Sequence, residues 1–206
     1  MKKLFILIII LIVLILNYFN LFPKRTYNNE YFNIEDYVSK IDKDQDGIDD
    51  QTDILKNAKK YVNSKPKYKS KYYESGYPND EYGVCTDVIA YALKNSGYDL
   101  MELINQDMIQ NKNDYHTETI DKNIDFRRVK NIKIYLDKYT IPLTVNLNKI
   151  NEWQAGDIVV FENHIAIVSD KRTKKGIPYI IHHSKRPLYE EDAISLYKIV
   201  GHYRIS

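Results

Sequence analysis

Cysteine is almost absent from this chain, because Cys85 is the only one in 206 residues. A single cysteine cannot form an internal disulfide, which excludes a disulfide-stapled scaffold. A domain of this kind outside the cytoplasm must be stabilised by its hydrophobic core or by a metal ion. The thiol of Cys85 is also left free to react.

An excess of charge of one sign is missing as well. The 30 basic and 28 acidic residues give a formal net charge of +2. Proteins that bind the phosphate backbone of nucleic acids need a strongly basic face. We therefore expect no nucleic-acid partner, and we expect no organic cofactor.

Small residues are missing from the N-terminal segment. Residues 4–16 contain no polar side chain, and the segment stays largely apolar to residue 22. At roughly 1.5 Å per residue, this stretch crosses most of the ~30 Å hydrocarbon core of a bilayer. The small residues that precede a signal-peptide cleavage site do not follow it. We predict that residues 1–25 form an uncleaved transmembrane anchor.

The remaining residues are enough for one globular domain with an ordinary core. Residues 26–41 are polar and aromatic without a clear period, which predicts a stalk. Residues 42–206 then form the folded domain. The prediction is a single-pass membrane protein whose domain lies on the extracytoplasmic side, with the cell membrane as its partner.

Helical spacing dominates the first part of this domain, and β-branched runs dominate the last part. The predicted helices cover residues 53–62, 85–93, 100–109 and 126–139. The predicted antiparallel strands cover residues 157–161, 164–169, 178–183 and 198–205. Helices followed by strands indicate an α+β domain in which the helices pack on a small antiparallel sheet.

Cys85 begins the second of these helices, on the apolar stripe that includes Val88, Ile89 and Ala92. The positive end of a helix dipole favours a thiolate, and free backbone N–H groups there can stabilise an oxyanion. The position therefore suits a nucleophile. A small buried hydrophobic residue would have the same spacing, so the pattern alone leaves both interpretations open.

Histidines follow on two neighbouring predicted strands. His164 begins one strand, where its side chain can act as a base for Cys85. His182 and His183 end the next strand and are candidates for a group that orients the imidazole of His164. Their side chains point to opposite faces of the sheet, so only one can meet His164, and spacing does not choose between them.

Several motifs occur in one order: G-V-C-T-D at 83–87, N-I-D-F-R-R-V at 123–129, G-D-I-V at 156–159, H-I-A-I-V-S-D at 164–170 and G-H-Y-R at 201–204. Together they resemble the bacterial domain of unknown function 1287, from about residue 42 to the C-terminus. That resemblance implies a branch of the papain-like cysteine hydrolases, which include cell-wall endopeptidases and amidases. It also favours His182 as the third group. Thr86 follows the cysteine where most wall hydrolases have serine, so substrate details are not carried over.

Acidic residues in the segment 42–53 have the spacing of a calcium-binding loop. Positions 1, 3, 5, 9 and 12 of such a loop are Asp42, Asp44, Asp46, Asp50 and Asp53. Gly47 permits the tight turn, and Ile48 offers its backbone carbonyl. We predict a structural calcium ion held by these residues, although a solvated acidic linker would show a similar composition.

The function that these features favour is cleavage of an amide bond by an extracytoplasmic cysteine hydrolase. Cys85 attacks, His164 transfers the proton and His182 orients it. Location and resemblance suggest peptidoglycan peptides as the substrate. A non-catalytic, calcium-dependent binding module and a cysteine acyltransferase or protein-processing protease are the alternatives.

Overall fold

The computed structural model describes residues 2–18, 25–186 and 189–205. Within these residues the helices are α1 (Lys2–Tyr18), α2 (Asp50–Asn63), α3 (Cys85–Lys94), α4 (Leu100–Gln110), α5 (Lys112–Tyr115), α6 (Lys122–Asp125) and α7 (Val129–Tyr139). Short 3₁₀ turns occur at Glu30–Phe32, Ile150–Glu152 and Ile194–Leu196.

The strands are β1 (Lys67–Tyr68), β2 (Tyr82–Gly83), β3 (Ile141–Pro142), β4 (Ile158–Phe161), β5 (His164–Arg172), β6 (Pro178–Ile181), β7 (Glu190–Glu191) and β8 (Ile199–Arg204). Strands β3 to β8 form one sheet in the order β3, β8, β4, β5, β6, β7, and each neighbouring pair is antiparallel. Strands β1 and β2 form a separate parallel pair. The predicted α+β class with an antiparallel sheet is confirmed.

The sheet separates two apolar clusters, because alternate residues of a strand point to opposite faces. Helices α2, α3, α4 and α7 pack on one face, where Ile165 and Ile167 of β5 are buried together with Cys85. The other face is covered by Trp153 and by the turn at Ile194–Leu196, and it buries Ala166 and Val168 of the same strand. Strand β5 therefore contributes to both clusters.

Helix α1 has 17 residues. Among the residues that the structure describes, no helix is both long and apolar enough to cross a bilayer. The predicted anchor over 1–25 continues beyond α1 into residues 19–24, which lie outside the described residues.

The segment 26–41 does not extend from the domain as the predicted stalk. The backbone of Tyr27 exchanges two hydrogen bonds with that of Arg172, of 3.0 and 2.7 Å. The buried amide of Asn29 donates to Gln154 over 3.0 Å and accepts from the guanidinium of Arg172. These partners lie more than a hundred residues away in sequence, so a local reading of the segment could not find them.

Candidate active site

Cys85 begins α3 directly after the short strand β2. Val84 between them has an extended backbone, with φ −138° and ψ −179°. Gly83 is required before it, because a Cβ there would lie 2.1 Å from the hydroxyl oxygen of Tyr61. The chain thus turns from strand to helix at the cysteine, which places the thiol at the positive end of the helix.

A buried ion pair fixes this turn. Asp87 accepts from the backbone N–H of Val84 at 2.7 Å and so caps the first turn of α3. Arg127 donates to both oxygens of Asp87, from Nε at 2.7 Å and from Nη2 at 2.9 Å. A third donation, from Nη1 to the carbonyl oxygen of Lys71 at 2.7 Å, ties the preceding loop to the same point. Asp87 therefore has a structural role at the start of the helix.

His164 and His182 form a hydrogen-bonded chain that ends on a carboxylate. Nε2 of His164 lies 2.7 Å from Nδ1 of His182, and Nε2 of His182 lies 3.0 Å from Oε1 of Glu191. Of the two histidines that the sequence left open, His182 is the one bonded to His164. Arg186 contacts both oxygens of Glu191, at 3.2 and 3.3 Å.

The donor and the acceptor of each hydrogen bond in this chain can be assigned from the carboxylate of Glu191 at its end. An ionised carboxylate can only accept, so Nε2 of His182 donates to Glu191. In a neutral ring Nδ1 of His182 then accepts, which makes Nε2 of His164 the donor. The lone pair of His164 is consequently on Nδ1, the atom that remains available for a proton from a nucleophile.

The thiol of Cys85 and the imidazole of His164 lie on opposite faces of the sheet. Cys85 packs on the helix face of the sheet, whereas the ring of His164 packs beside Phe161 and Tyr197 on the other face. The backbone N–H of Ile165, the residue after His164, lies close enough to the sulfur to favour the thiolate. In the described part of the chain, no hydrogen bond joins the thiol to an imidazole.

Burial keeps both groups neutral in this resting arrangement. It raises the pKa of the Cys85 thiol to about 11, against the opposing effect of backbone N–H groups of Ile165 and Thr86. It also lowers the pKa of His164 to about 4, and the neighbouring His182 acts in the same direction. A preformed thiolate–imidazolium pair is therefore not the resting state.

His183 lies on the same face as the thiol. Its ring is buried and meets the rings of Tyr68 and Tyr189 at centroid distances of 5.3 and 5.2 Å. A cavity of about 410 Å³ is lined by His183, His164, Tyr68 and Tyr197, together with polar residues of the neighbouring turns. His164 and His183, whose side chains lie on opposite faces of the sheet, thus line one opening at this edge of the sheet.

A second histidine cluster lies inside the sheet, built from the G-D and G-H-Y-R motifs. Asp157 accepts from Nε2 of His202 at 2.9 Å and from Nε and Nη2 of Arg204 at 2.7 and 2.8 Å. Nδ1 of His202 faces the carbonyl oxygen of Thr144 at 2.7 Å, and its ring stacks on Trp153 at 3.8 Å. Both ring nitrogens are engaged, so this cluster has no nitrogen free for proton transfer.

The acidic loop leads into α2 and brings three carboxylates together. Ligand oxygens of Asp42, Asp44 and Asp46 all lie within 4.8 Å of one another. Gly47 has φ +89°, a left-handed backbone that glycine adopts without strain. Hard divalent cations prefer several such oxygens on a turned backbone. These three residues therefore fit a calcium ion.

The other predicted ligands are placed differently. Asp50 accepts from the backbone N–H of Lys43 at 2.8 Å and from the hydroxyl of Tyr98, so its carboxylate is engaged away from the cluster. Asp53 is buried and accepts from Asn57 at 2.9 Å. Burial, and then the charges of Asp46 and Asp44, raise the pKa of Asp53. Its carboxylate is not part of the group formed by Asp42, Asp44 and Asp46.

Glu191 was not expected from the sequence. It reaches His182 because β7 pairs with β6 in the register that places Glu190 opposite Ile181 and Glu191 opposite Ile180. Strand β7 has only two residues and carries no period that a sequence pattern could show. A search for a carboxylate near the predicted histidine strands would have offered Glu190 and Glu191 without choosing between them.

Comparisons with known proteins agree with the family resemblance. A family model described as "Domain of unknown function (DUF1287)" matches residues 55–205. The chain is 33% identical over 164 residues to "Uncharacterized protein YijF" of Escherichia coli (strain K12), which covers 73% of this chain and 80% of that protein. No solved structure matches the chain. The family match includes Cys85, His164, His182 and Glu191, and it begins after the acidic loop.

Proposed function

The chain belongs to the family described as domain of unknown function (DUF1287), and we propose that it is a membrane-tethered, extracytoplasmic cysteine hydrolase that cleaves an amide bond in peptidoglycan peptides. The observation that carries the proposal is the chain from His164 through His182 to Glu191, which leaves Nδ1 of His164 without a partner among the described residues. His164 begins β5, and the backbone of the next residue, Ile165, lies close to the sulfur of Cys85. The apolar N-terminal run supports the location.

The layout supports a papain-like mechanism. In such enzymes a helix carries the nucleophile at its start, and an antiparallel sheet packed on it carries the base and the group that orients the base. Here α3 carries Cys85, β5 carries His164, and His182 directly follows β6.

In the proposed reaction, Nδ1 of His164 takes the proton from the thiol as the sulfur attacks the carbonyl carbon of the amide. The oxyanion that forms is stabilised by backbone N–H groups at the start of α3. The amine leaves with the proton from His164, and water then hydrolyses the thioester and regenerates the thiol. Because thiol and imidazole are neutral at rest, proton transfer accompanies the attack and requires the two side chains to approach.

The test compares the full chain, purified in mild detergent, with Cys85→Ala and His164→Ala variants on isolated peptidoglycan. Mass spectrometry of the released peptides measures cleavage. We expect each variant to lose roughly 10³-fold or more of the rate, because nucleophile and base act as a unit. The matched control is His116→Asn, which changes an exposed histidine remote from the sheet. Equal cleavage by wild type and Cys85→Ala would refute the proposal.

The second candidate is a calcium-dependent binding module that retains the hydrolase shape. The observation that favours it is the convergence of Asp42, Asp44 and Asp46, together with the neutral, unbonded thiol. A binding module would sediment with peptidoglycan in the presence of calcium and be released by a chelator, without cleavage. Cleavage that continues in the chelator would exclude it.

A further inference from the structure

His183 is a buried polar group without a use in the proposed reaction. In the part of the chain that the structure describes, neither ring nitrogen has a partner with full hydrogen-bond geometry, although backbone groups of Lys67 and Ser184 lie near enough to the ring to favour its protonated form. The residue is only 2% exposed. Burying an imidazole with both nitrogens unpaired is costly, so a buried imidazole of this kind calls for a partner.

The position of His183 points to that ligand. It lines the same cavity as His164, and it lies on the face of the sheet that carries Cys85. Its pKa is lowered, chiefly by burial, so the ring is neutral near pH 7. A neutral imidazole offers one donor and one acceptor, so it can pair either with the C=O or with the N–H of an amide group.

Tyr68 lies next to both His183 and Cys85. Its ring meets that of His183 nearly edge-on, with an interplanar angle of 78°. Its hydroxyl is close enough to Cys85 for the two to interact electrostatically. Tyr68 is held on β1, which pairs with β2 just before the cysteine, and its side chain is 42% exposed while that of Cys85 is 8% exposed.

We propose that Tyr68 is a cover over the thiol, and that an amide group of the peptide substrate displaces it and pairs with one ring nitrogen of His183. His183 is then a substrate-binding residue of the site. The inference rests on the proposed function, because it places His183 on the peptide that Cys85 attacks.

The first experiment tests the cover by alkylation of Cys85 with iodoacetamide at pH 7.5. The chain has one cysteine, so every label reports on this thiol. We expect Tyr68→Ala to react at least about fivefold faster than wild type, because the sulfur becomes accessible. Tyr72→Ala is the matched control, since Tyr72 is an exposed tyrosine of the same loop. Equal rates for the two variants would overturn the cover.

The second experiment tests the amide contact in the Tyr68→Ala background. It compares alkylation by iodoacetamide with alkylation by iodoacetonitrile, an uncharged reagent of similar size without an amide. The ratio of the two rates cancels any change in the thiolate fraction or in access to the sulfur. We expect His183→Leu to lower this ratio about five- to tenfold, as for a lost hydrogen bond.

His183→Gln keeps one donor and one acceptor and should restore at least half of the ratio. An unchanged ratio in His183→Leu would refute the contact, as would a ratio that His183→Gln fails to restore. Neither readout requires cleavage of peptidoglycan. A failure of the proposed hydrolysis is thus distinguishable from a failure of this inference.

Discussion

Two histidine–carboxylate networks occur in the same sheet, and they differ in whether both nitrogens of each imidazole are hydrogen-bonded. In the network of Asp157, His202 and Arg204, Asp157 and His202 are buried, and both carboxylate oxygens and both imidazole nitrogens have a hydrogen-bond partner. The network of His164, His182 and Glu191 ends at Nδ1 of His164, which has no hydrogen-bond partner within the described part of the chain, and His164 lines a cavity. A saturated network stabilises one structure, whereas one with an open end can exchange a proton.

The network of Asp157, His202 and Arg204, called the closed network below, also joins distant parts of the chain. The network of His164, His182 and Glu191 is called the open network. Gln51 of α2 donates to Asp157 at 2.9 Å, and the backbone N–H of Gln154 donates to the same carboxylate at 2.8 Å. With His202 and Arg204 of β8, the carboxylate connects α2, the loop before β4 and the strand beside it. We therefore expect loss of the closed network to lower the free energy of unfolding. We expect changes in the open network to alter the rate of the reaction.

The largest effect is expected from Asp157→Asn. This change leaves the guanidinium of Arg204 without its buried, charged partner, which typically costs ~3–5 kcal/mol of the free energy of unfolding. The isosteric Glu191→Gln in the open network should cost less than ~1 kcal/mol, since the carboxamide still accepts from His182 and the charged partner of Glu191, Arg186, is half exposed. Urea denaturation followed by circular dichroism measures both. Similar losses in the two variants would remove the distinction between the networks.

The pH dependence of stability should come next in size. Burial lowers the folded-state pKa of His164 from 6.5 to about 4, so the unfolded chain binds a proton there first. The stabilising contribution is complete above pH 6.5 and is lost as the pH falls toward 4. After an allowance for partial exposure, wild type should lose about 2 kcal/mol more than His164→Asn between pH 7 and pH 4.5.

The control for this titration is His116→Asn, which should keep the wild-type pH dependence because His116 is exposed. Denaturation midpoints at five pH values measure the difference. If His164→Asn follows the wild-type curve, the open network does not hold a neutral histidine, and the argument for Nδ1 as the free acceptor fails.

A smaller effect is expected on catalysis from Glu191→Gln. The carboxamide can donate as well as accept, so the hydrogen-bond direction through His182 is no longer fixed. The rate of amide cleavage should fall about tenfold while the free energy of unfolding changes little. Arg186→Ala removes only the exposed partner of Glu191 and should change the rate less than about threefold. An unchanged rate in Glu191→Gln would show that Glu191 does not contribute to catalysis.

Much of the frame around these networks follows from periodicity. The apolar stripe of α3 begins at Cys85 because the helix packs on a sheet, and the strands that carry His164 and His202 are β-branched because they are buried on both faces. Spacing could not show that the ring of His164, at the start of β5, lies on the opposite face of the sheet from Cys85. It also could not find the contacts of Asn29, since these depend on tertiary packing across the chain.

The smallest effect is expected from the removal of calcium. It should lower the stability of the fold through the closed network and leave the reactivity of Cys85 unchanged. The loop with Asp42, Asp44 and Asp46 leads into α2, whose Gln51 donates to Asp157. With a dissociation constant of about 10⁻⁴–10⁻³ M, as in extracellular calcium modules, about 1 mM calcium would stabilise the fold by roughly 0.4–1.4 kcal/mol. Excess chelator should lower Tm by a few degrees and leave the alkylation rate of Cys85 unchanged. Asp44→Asn should abolish the Tm shift, whereas Asp114→Asn, an exposed carboxylate elsewhere, should keep it. A chelator that slows or speeds the alkylation would show that the loop acts on the open network, and the separation of the two would no longer hold.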